Sequence, residues 1–306
     1  MDGRFPGLPA KPRTAFFGSP AVAAQVLERM VAEGLGPAVV VTNVDKRRTR
    51  RGPAEPTPVA RVAADHGIPV LHDPADLVGQ GCHLGVVVAY GRILRPSTLE
   101  LFPLVNIHFS LLPRWRGAAP VERAILAGDE VTGVCLMAVD QGLDEGDVFA
   151  EARVHIYPRE TAEELRGRLA ALGAAMLCDA LGVGGPAFVA PRPQVGEITY
   201  AKKLTTDDLR IDFHASAEAA ARQVRVGGAW CMTGPKRLKI LDAEAEADVA
   251  ANEGAALAPG EMMGERVACS PGLLRLLSVQ PEGGRPMPTA DWLRGRAREG
   301  AAPVLG

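Results

Sequence analysis

The chain has 306 residues, 47% hydrophobic and 23% charged, which is typical of a globular protein with one large or two ordinary domains. A net charge of −2 excludes a global attraction to nucleic acid, so any RNA contact would need a local basic patch. The five cysteines are scattered and form no C-x-x-C pair, which excludes a disulfide framework and favours a reducing compartment. Because we find neither a signal peptide nor an apolar run of membrane-spanning length, we expect a soluble, cytoplasmic protein without membrane contact.

The first hundred residues alternate between predicted strands and helices. Residues 13–17 read as a strand, and a helix with one apolar face follows to about residue 33. The turn between them, Gly18-Ser19-Pro20, lacks the G-x-G-x-x-G pattern, so we predict no dinucleotide site. Residues 37–43 and 68–71 are further strands, residues 58–66 a helix, and the β-branched run 84–90 a central strand buried on both faces.

A cluster of basic residues follows the second strand. It lies in the segment 45–52 and consists of Lys46, Arg47, Arg48, Arg50 and Arg51. A charge run is most often a solvated, mobile segment. This one stands in a loop of an otherwise slightly acidic chain and precedes a proline-rich stretch, which makes a phosphate-binding role the alternative interpretation.

The stretch 105–147 carries the candidate chemistry. Apolar and polar residues alternate from 105 to 110, which predicts a strand with Asn106 and His108 on one face, about 7 Å apart. A turn, a helix from about 119 to 128 and a buried strand from 131 to 139 follow, and the chain then enters an acidic loop at 140–147 that contains Asp144. Active sites of open α/β sheets form beyond the carboxyl ends of strands, where these side chains are expected to meet.

An amide, an imidazole and a carboxylate suit acyl transfer, because they can stabilise an oxyanion and move a proton. The sequence has no G-x-S-x-G elbow, which argues against a covalent acyl-enzyme and for direct transfer to an outside nucleophile. The acids of the 140–147 loop do not have the spacing of an EF-hand, so we predict no metal site. Taken singly, His108 would more often be a structural histidine and Asp144 a solvated turn residue.

The rest of the chain predicts a second domain. A strand at 148–156 and a helix at 161–181 complete an α/β pattern, for which we expect a doubly wound, Rossmann-like and mostly parallel sheet. A proline-rich stretch follows, and then short apolar strands separated by Gly/Pro turns, which predict a small β-barrel.

Several of these segments resemble 10-formyltetrahydrofolate-dependent formyltransferases. The motifs that carry the resemblance are Asn106-x-His108, Ser110-Leu-Leu-Pro113, Arg116-Gly117 and Asp140-x-Gly-x-Asp144-x-Gly146-Asp147. The string SLLPRWRGAAP, residues 110–120, is similar in particular to the branch that acts on methionyl-tRNA, as are TYAKKL, RIDF and GAW nearer the carboxyl end. Phe109 departs from the small residue or proline that the family often has there. The alternation directs Phe109 away from the site, so we expect altered packing only.

The resemblance implies a monomeric enzyme that transfers a formyl group from 10-formyltetrahydrofolate to the methionine amine of initiator methionyl-tRNA. It implies a catalytic domain at 13–196, a linker at 197–207 and an OB-like β-barrel domain at 208–306. The catalytic residues would be Asn106, His108 and Asp144, and the basic cluster would contact the tRNA. The expected folate-binding residues are Tyr90, Gly91, Ser110, Leu111, Leu112 and Pro113. Three alternatives stay open: a formyltransferase acting on glycinamide ribonucleotide or an amino sugar, a formyltetrahydrofolate hydrolase with water as the nucleophile, and a non-catalytic RNA-binding protein with a degenerate enzyme domain.

Overall fold

The computed structural model of the chain describes residues 5, 7–44, 46–47, 54–246, 257–297 and 304–306. They divide into two units, each made of three stretches of chain. The first comprises Met1–Val121, Val131–His155 and Glu164–Lys202, and the second Glu122–Glu130, Ile156–Glu163 and Lys203–Gly306. None of the helices in the described ranges combines the length and apolar character that a bilayer crossing requires.

The first unit is built on strands that alternate with helices. The strands up to residue 201 are β1 (Thr14–Gly18), β2 (Val39–Val41), β3 (Lys46–Arg47), β4 (Ala54–Glu55), β5 (Val70–Leu71), β6 (Leu84–Val88), β7 (Leu104–His108), β8 (Arg116–Gly117), β9 (Val131–Ala138), β10 (Val148–His155) and β11 (Tyr200–Ala201). The helices up to residue 183 are α1 (Ala21–Ala32), α2 (Pro58–Asp65), α3 (Pro96–Leu99), α4 (Pro120–Ala127) and α5 (Ala162–Val183). Proline occupies the first helical turn of α2, where Thr57 accepts a hydrogen bond from the backbone N–H of Ala60 at 3.0 Å and caps the helix.

Seven strands form one sheet in the order β10-β9-β7-β6-β1-β2-β5. The five from β7 to β5 are parallel, whereas β9 and β10 run antiparallel to their neighbours. On one face of the central strand β6, Leu84, Val86 and Val88 are fully buried, and on the other face Gly85 is buried and Val87 half-buried. Gly173 of α5 lies so close to the sheet that an added Cβ would be 2.6 Å from Ile107. The expectation of a mostly parallel α/β sheet is confirmed.

From residue 203 onwards, the described residues of the second unit form an antiparallel sheet with two helices, and most of α4 also belongs to this unit. Its elements are α6 (Ala217–Val226), β12 (Trp230–Thr233), β13 (Lys236–Glu246), β14 (Met262–Met263), β15 (Arg266–Ala268), β16 (Leu273–Pro281), β17 (Met287–Pro288) and α7 (Thr289–Ala297). The strand order is β12-β13-β16-β15-β14, and β17 also pairs with β16. Residues 304–306 bridge Thr233 on one edge and Glu261 beside the other edge, so the sheet closes into a small barrel as the sequence predicted.

Two features of the fold differ from the sequence-based predictions. Helix α7 was not predicted, although it contributes Trp292 to the core of the second unit. The predicted linker at 197–207 begins with residues that are part of the first unit, because β11 pairs in parallel with β8. This pairing supports the loop beside His108.

Candidate active site

His108 is the last residue of β7 and lies buried, with two acceptor groups facing its ring. Its Nε2 is 2.9 Å from the backbone oxygen of Trp115, and its Nδ1 is 3.6 Å from Oδ2 of Asp144. A carbonyl oxygen can only accept a hydrogen bond, so Nε2 carries a proton and donates it to Trp115. The other ring nitrogen, Nδ1, faces the Asp144 carboxylate.

Asn106 lies two residues earlier on β7, so the strand period places its side chain on the same face as that of His108. Its neighbours across the sheet are Val87 on β6 and Met137 on β9. Within the described part of the chain, no hydrogen bond reaches the half-buried Asn106 amide. The amide is therefore able to donate to a ligand.

Asp144 is held in the acidic loop by its backbone as well as by its carboxylate. Its φ of 52° lies in the left-handed region, which is uncommon for a residue other than glycine. Oδ2 accepts a hydrogen bond of 2.8 Å from the backbone N–H of Gly117, and the side chain is 19% exposed. Gly146 allows the loop to pass close to β9, because a Cβ there would be 2.0 Å from the oxygen of Ala138.

One loop, residues 114–117, contacts both partners of the pair. The carbonyl oxygen of Trp115 accepts a hydrogen bond from His108, and the backbone N–H of Gly117 donates one to Asp144. Thr199 fixes this loop. Its hydroxyl oxygen accepts a hydrogen bond from the backbone N–H of Trp115 at 2.8 Å, and its carbonyl oxygen accepts one from the backbone N–H of Arg116 at 2.9 Å. Sequence reasoning missed Thr199, because the proline-rich composition of residues 191–199 gives no local sign that the segment belongs to the site.

Gln194 was missed for the same reason. Its side-chain oxygen accepts hydrogen bonds from the guanidinium of Arg116, and its amide nitrogen donates to the carbonyls of Asp144 and Gly146. The guanidinium of Arg116 is buried and also contacts Glu145 at 3.2 Å. The segment 194–201 therefore holds both the 114–117 loop and the acidic loop.

Cys135 lies across from His108 in the register of β9 and β7. Burial raises the pKa of its thiol to about 11, and its sulfur accepts from the backbone N–H of Leu112 at 3.5 Å. At neutral pH it is a thiol, which is a weak nucleophile. Within the described part of the chain, the thiol that lies across from this histidine is therefore a poor candidate for covalent catalysis, which agrees with direct transfer.

The 110–113 segment, predicted to bind folate, is largely used for internal contacts. Ser110 is fully buried and its hydroxyl donates to the backbone oxygen of Arg114 at 2.6 Å. Leu112 and Pro113 are buried as well, and Leu111 packs against Gly133. A ligand at this segment would therefore meet mostly backbone.

Tyr90 and Gly91, also predicted to bind folate, follow the carboxyl end of β6. The Tyr90 ring is buried against Phe17, its hydroxyl oxygen accepts from Arg92 at 3.3 Å, and burial raises the pKa of the phenol. Gly91 is exposed, with φ at 75°, and Ile93 is 96% exposed. The exposed backbone and Ile93 are the groups that a ligand could reach here.

The basic cluster is described only at its start. Lys46 and Arg47 form β3, which pairs antiparallel with β4, so the segment begins as one arm of a hairpin. Arg48, Arg50 and Arg51 lie outside the described residues. In the described ranges, no group of three or more His, Cys, Asp or Glu residues is arranged to hold a metal ion.

Comparison with solved structures gives the same fold. An N-formyltransferase from Helicobacter canadensis, in complex with folinic acid and dTDP-3-aminofucose, matches with a TM-score of 0.65 at 15% identity, covering 87% of this chain and 99% of its own. HypX from Aquifex aeolicus, in complex with tetrahydrofolic acid, matches with a TM-score of 0.62 at 16% identity over 95% of this chain. This chain spans about half of HypX, 48% of its length.

Sequence relatives cover nearly the whole chain. The methionyl-tRNA formyltransferase of Paracoccus denitrificans is 40% identical over 301 residues, which is 93% of this chain and 98% of the relative. That of Symbiobacterium thermophilum is 41% identical over 298 residues, 92% of this chain and 91% of the relative. Family models described as "Formyl transferase" and "Formyl transferase, C-terminal domain" match residues 12–181 and 203–297. The resemblance found in the sequence is confirmed: the chain belongs to the formyl transferase family.

Proposed function

We propose that the protein transfers the formyl group of 10-formyltetrahydrofolate to the methionine amine of initiator methionyl-tRNA. The observation that carries the proposal is the His108–Asp144 pair, 3.6 Å apart, with Asn106 on the same face of β7. These groups stand in a chain 40% identical, over almost its full length, to a methionyl-tRNA formyltransferase.

In the proposed reaction the neutral amine of methionine attacks the formyl carbon of the donor. A carbon–nitrogen bond forms and the carbonyl oxygen takes up negative charge. The unpaired amide of Asn106 and His108 with Nδ1 protonated donate hydrogen bonds to this oxyanion. Because Nε2 is already bonded to Trp115, the ring is oriented before the substrate arrives.

Asp144 is the proton acceptor of the proposed mechanism. It lies beside Nδ1, so it stabilises the protonated imidazole, and it takes the proton that the attacking amine loses, directly or through water. The bond between the formyl carbon and N10 then breaks as N10 receives the proton that Asp144 took from the amine, directly or through water. Since this chain's side chains supply both the oxyanion donors and the proton acceptor, no step is assigned to a metal ion.

The folate is proposed to lie along the 110–113 segment and the wall at Tyr90 and Gly91, through backbone contacts. The tRNA is proposed to meet the basic cluster of residues 46–51 largely through phosphates, which explains basic residues grouped in an otherwise slightly acidic chain. A cytoplasmic location follows from the need for initiator tRNA. The boundaries 13–196, 197–207 and 208–306 stay a proposal for the catalytic domain, the linker and the OB-like domain, in which linker residues 200–201 also pair with β8.

An acceptor assay tests this function. Purified protein and 10-formyltetrahydrofolate are offered methionyl initiator tRNA, methionyl elongator tRNA, glycinamide ribonucleotide, an amino sugar nucleotide or no acceptor, in parallel. Formylation confined to the initiator tRNA is the expected result. Transfer to a small amine would overturn the assignment of the acceptor and keep the catalytic residues, whereas absence of all turnover would favour the RNA-binding alternative.

A further inference from the structure

We propose that Gln194 is a positioning residue for Asp144, and that it acts from outside both matched family ranges. It lies between residues 12–181 and 203–297, the two ranges that the family models cover. The inference rests on the proposed function only where turnover is the measurement.

Every hydrogen-bonding group of the Gln194 side chain is in use. Oε1 accepts from Nε and Nη2 of Arg116 at 3.0 and 2.8 Å, and Nε2 donates to the backbone oxygens of Asp144 and Gly146, both at 2.8 Å. An amide has two N–H donors and two acceptor lone pairs, so these four bonds fill its capacity. A residue with only two donors or only acceptors could not make the same set.

The donor bond to the Asp144 carbonyl falls on a backbone that needs support. Asp144 has φ at 52°, in the left-handed region, which aspartate adopts more readily than most residues with a Cβ but which is still less favourable than the right-handed region. Gln194 fixes this peptide and the one two residues later, at Gly146. The direction of the Asp144 carboxylate towards Nδ1 of His108 depends on this backbone.

Arg116 completes a closed circuit of contacts around the carboxylate. Its guanidinium is buried and bonded to Gln194, while the next residue, Gly117, donates its backbone N–H to Oδ2 of Asp144 at 2.8 Å. Gln194 therefore ties the loop that supplies this donor to the loop that supplies the carboxylate. Moving either loop would change the 3.6 Å separation between Asp144 and His108.

The first test replaces Gln194 by methionine, which has a similar volume and cannot form these bonds. We expect kcat to fall about 10²-fold, because small misplacements of a reacting group cost about that much. The KM for 10-formyltetrahydrofolate should stay within about threefold of the wild-type value, since Asp144 acts in the transition state. A change in KM at constant kcat would overturn the positioning role.

Gln223 offers a matched control. Its amide also donates to two backbone carbonyls, those of Asp208 at 3.1 Å and Arg210 at 3.0 Å, but in the second unit. Gln223→Met removes comparable bonds away from the site, and its kcat should stay within about twofold of the wild-type value. Equal kcat for Gln194→Met and Gln223→Met would overturn the proposal.

Gln194→Glu is the second variant, in case the methionine variant does not fold. The carboxylate keeps acceptors for Arg116 and loses both donors to the acidic loop. The ion pair that the carboxylate forms with Arg116 offsets part of its repulsion with the two backbone carbonyls, so we expect a lower Tm than wild type, a folded protein, and the same loss of kcat as in the methionine variant. Wild-type kcat would show that the donor bonds do not position Asp144.

A readout without substrate separates this inference from the proposed function. Long-range ¹H–¹⁵N spectra record the ring nitrogens of all six histidines of the chain. Gln194→Met should shift the His108 signals and leave the other five in place, because Asp144 faces its Nδ1. Unchanged His108 signals would overturn the positioning role even if the wild-type protein transferred no formyl group.

Discussion

Replacement of Asp144 by asparagine isolates the charge of the proposed proton acceptor. At 3.6 Å and an effective dielectric constant of about 20, a carboxylate and a protonated imidazole attract by roughly 5 kcal/mol. Losing this attraction in the transition state corresponds to a fall in kcat of roughly 10³-fold. Stability should change little, because the asparagine oxygen can still accept a hydrogen bond from the Gly117 N–H. We expect the free energy of unfolding to fall by about 1 kcal/mol or less.

The assay is single-turnover formyl transfer to methionyl initiator tRNA, accompanied by thermal unfolding. Asp212→Asn serves as the control, because Asp212 also accepts one backbone N–H, that of His214 at 2.9 Å, and it is an exposed residue of the second unit. The control should retain wild-type turnover. If Asp144→Asn lost less than about tenfold in kcat, the electrostatic argument for the pair would be wrong. A large fall in Tm together with the loss of activity would instead assign Asp144 a structural role.

Three further predictions follow from other parts of the chain. Asn106→Ala should lower kcat by about 10²- to 10³-fold at unchanged Tm, since its amide has no described partner within the protein; a loss below fivefold would contradict the oxyanion role. Asp208 has its pKa lowered to about 2, chiefly by the backbone N–H and hydroxyl of Thr205 and then by Arg123. A lowered pKa stabilises the fold above the ordinary value, so Asp208→Asn should cost about 1 kcal/mol at neutral pH, after discounting for a side chain 27% exposed. Denaturant titrations should show this difference closing as pH falls from about 4 towards 2, and a constant difference would be inconsistent with it. Arg50→Ala should weaken tRNA binding and make the salt dependence of log K shallower by about one, with folate binding unchanged; an unaltered slope would argue against a phosphate contact.

Local sequence patterns predicted most of the first unit because its elements depend on local composition. The alternation at residues 105–110 gave β7, and the run at 84–90 gave β6, which is fully buried on one face and only half-buried at Val87 on the other. The antiparallel direction of β9 and β10 follows from long-range connections that periodicity does not record. Helix α7 was missed because its apolar residues are few, and only packing of Trp292 into the barrel core reveals its role.

The site was predictable only in part. Asn106, His108 and Asp144 could be singled out by residue type and by the resemblance, and the structure places His108 beside Asp144. Gln194 and Thr199 could not be singled out, because they contact residues about 50 to 84 positions away in the sequence. The proline-rich segment around them has the composition of a linker. Predicting Gln194 and Thr199 requires knowing that β11 pairs with β8. Strands of two residues are too short to give a recognisable sequence pattern, so this pairing could not be predicted.

The pairing of β11 with β8 also sets an order of events during synthesis of the chain. Trp115 leaves the ribosome 84 residues before Thr199, the residue that fixes it. At ordinary elongation rates of about 5 to 20 residues per second, this delay is roughly 4 to 17 s. The strands β9 and β10 emerge within that interval, so all seven strands of the sheet are available while the loop that orients His108 lacks its partner. A chain truncated at residue 181, where the first matched family range ends, would therefore contain all the sheet strands but lack the segment that fixes the 114–117 loop.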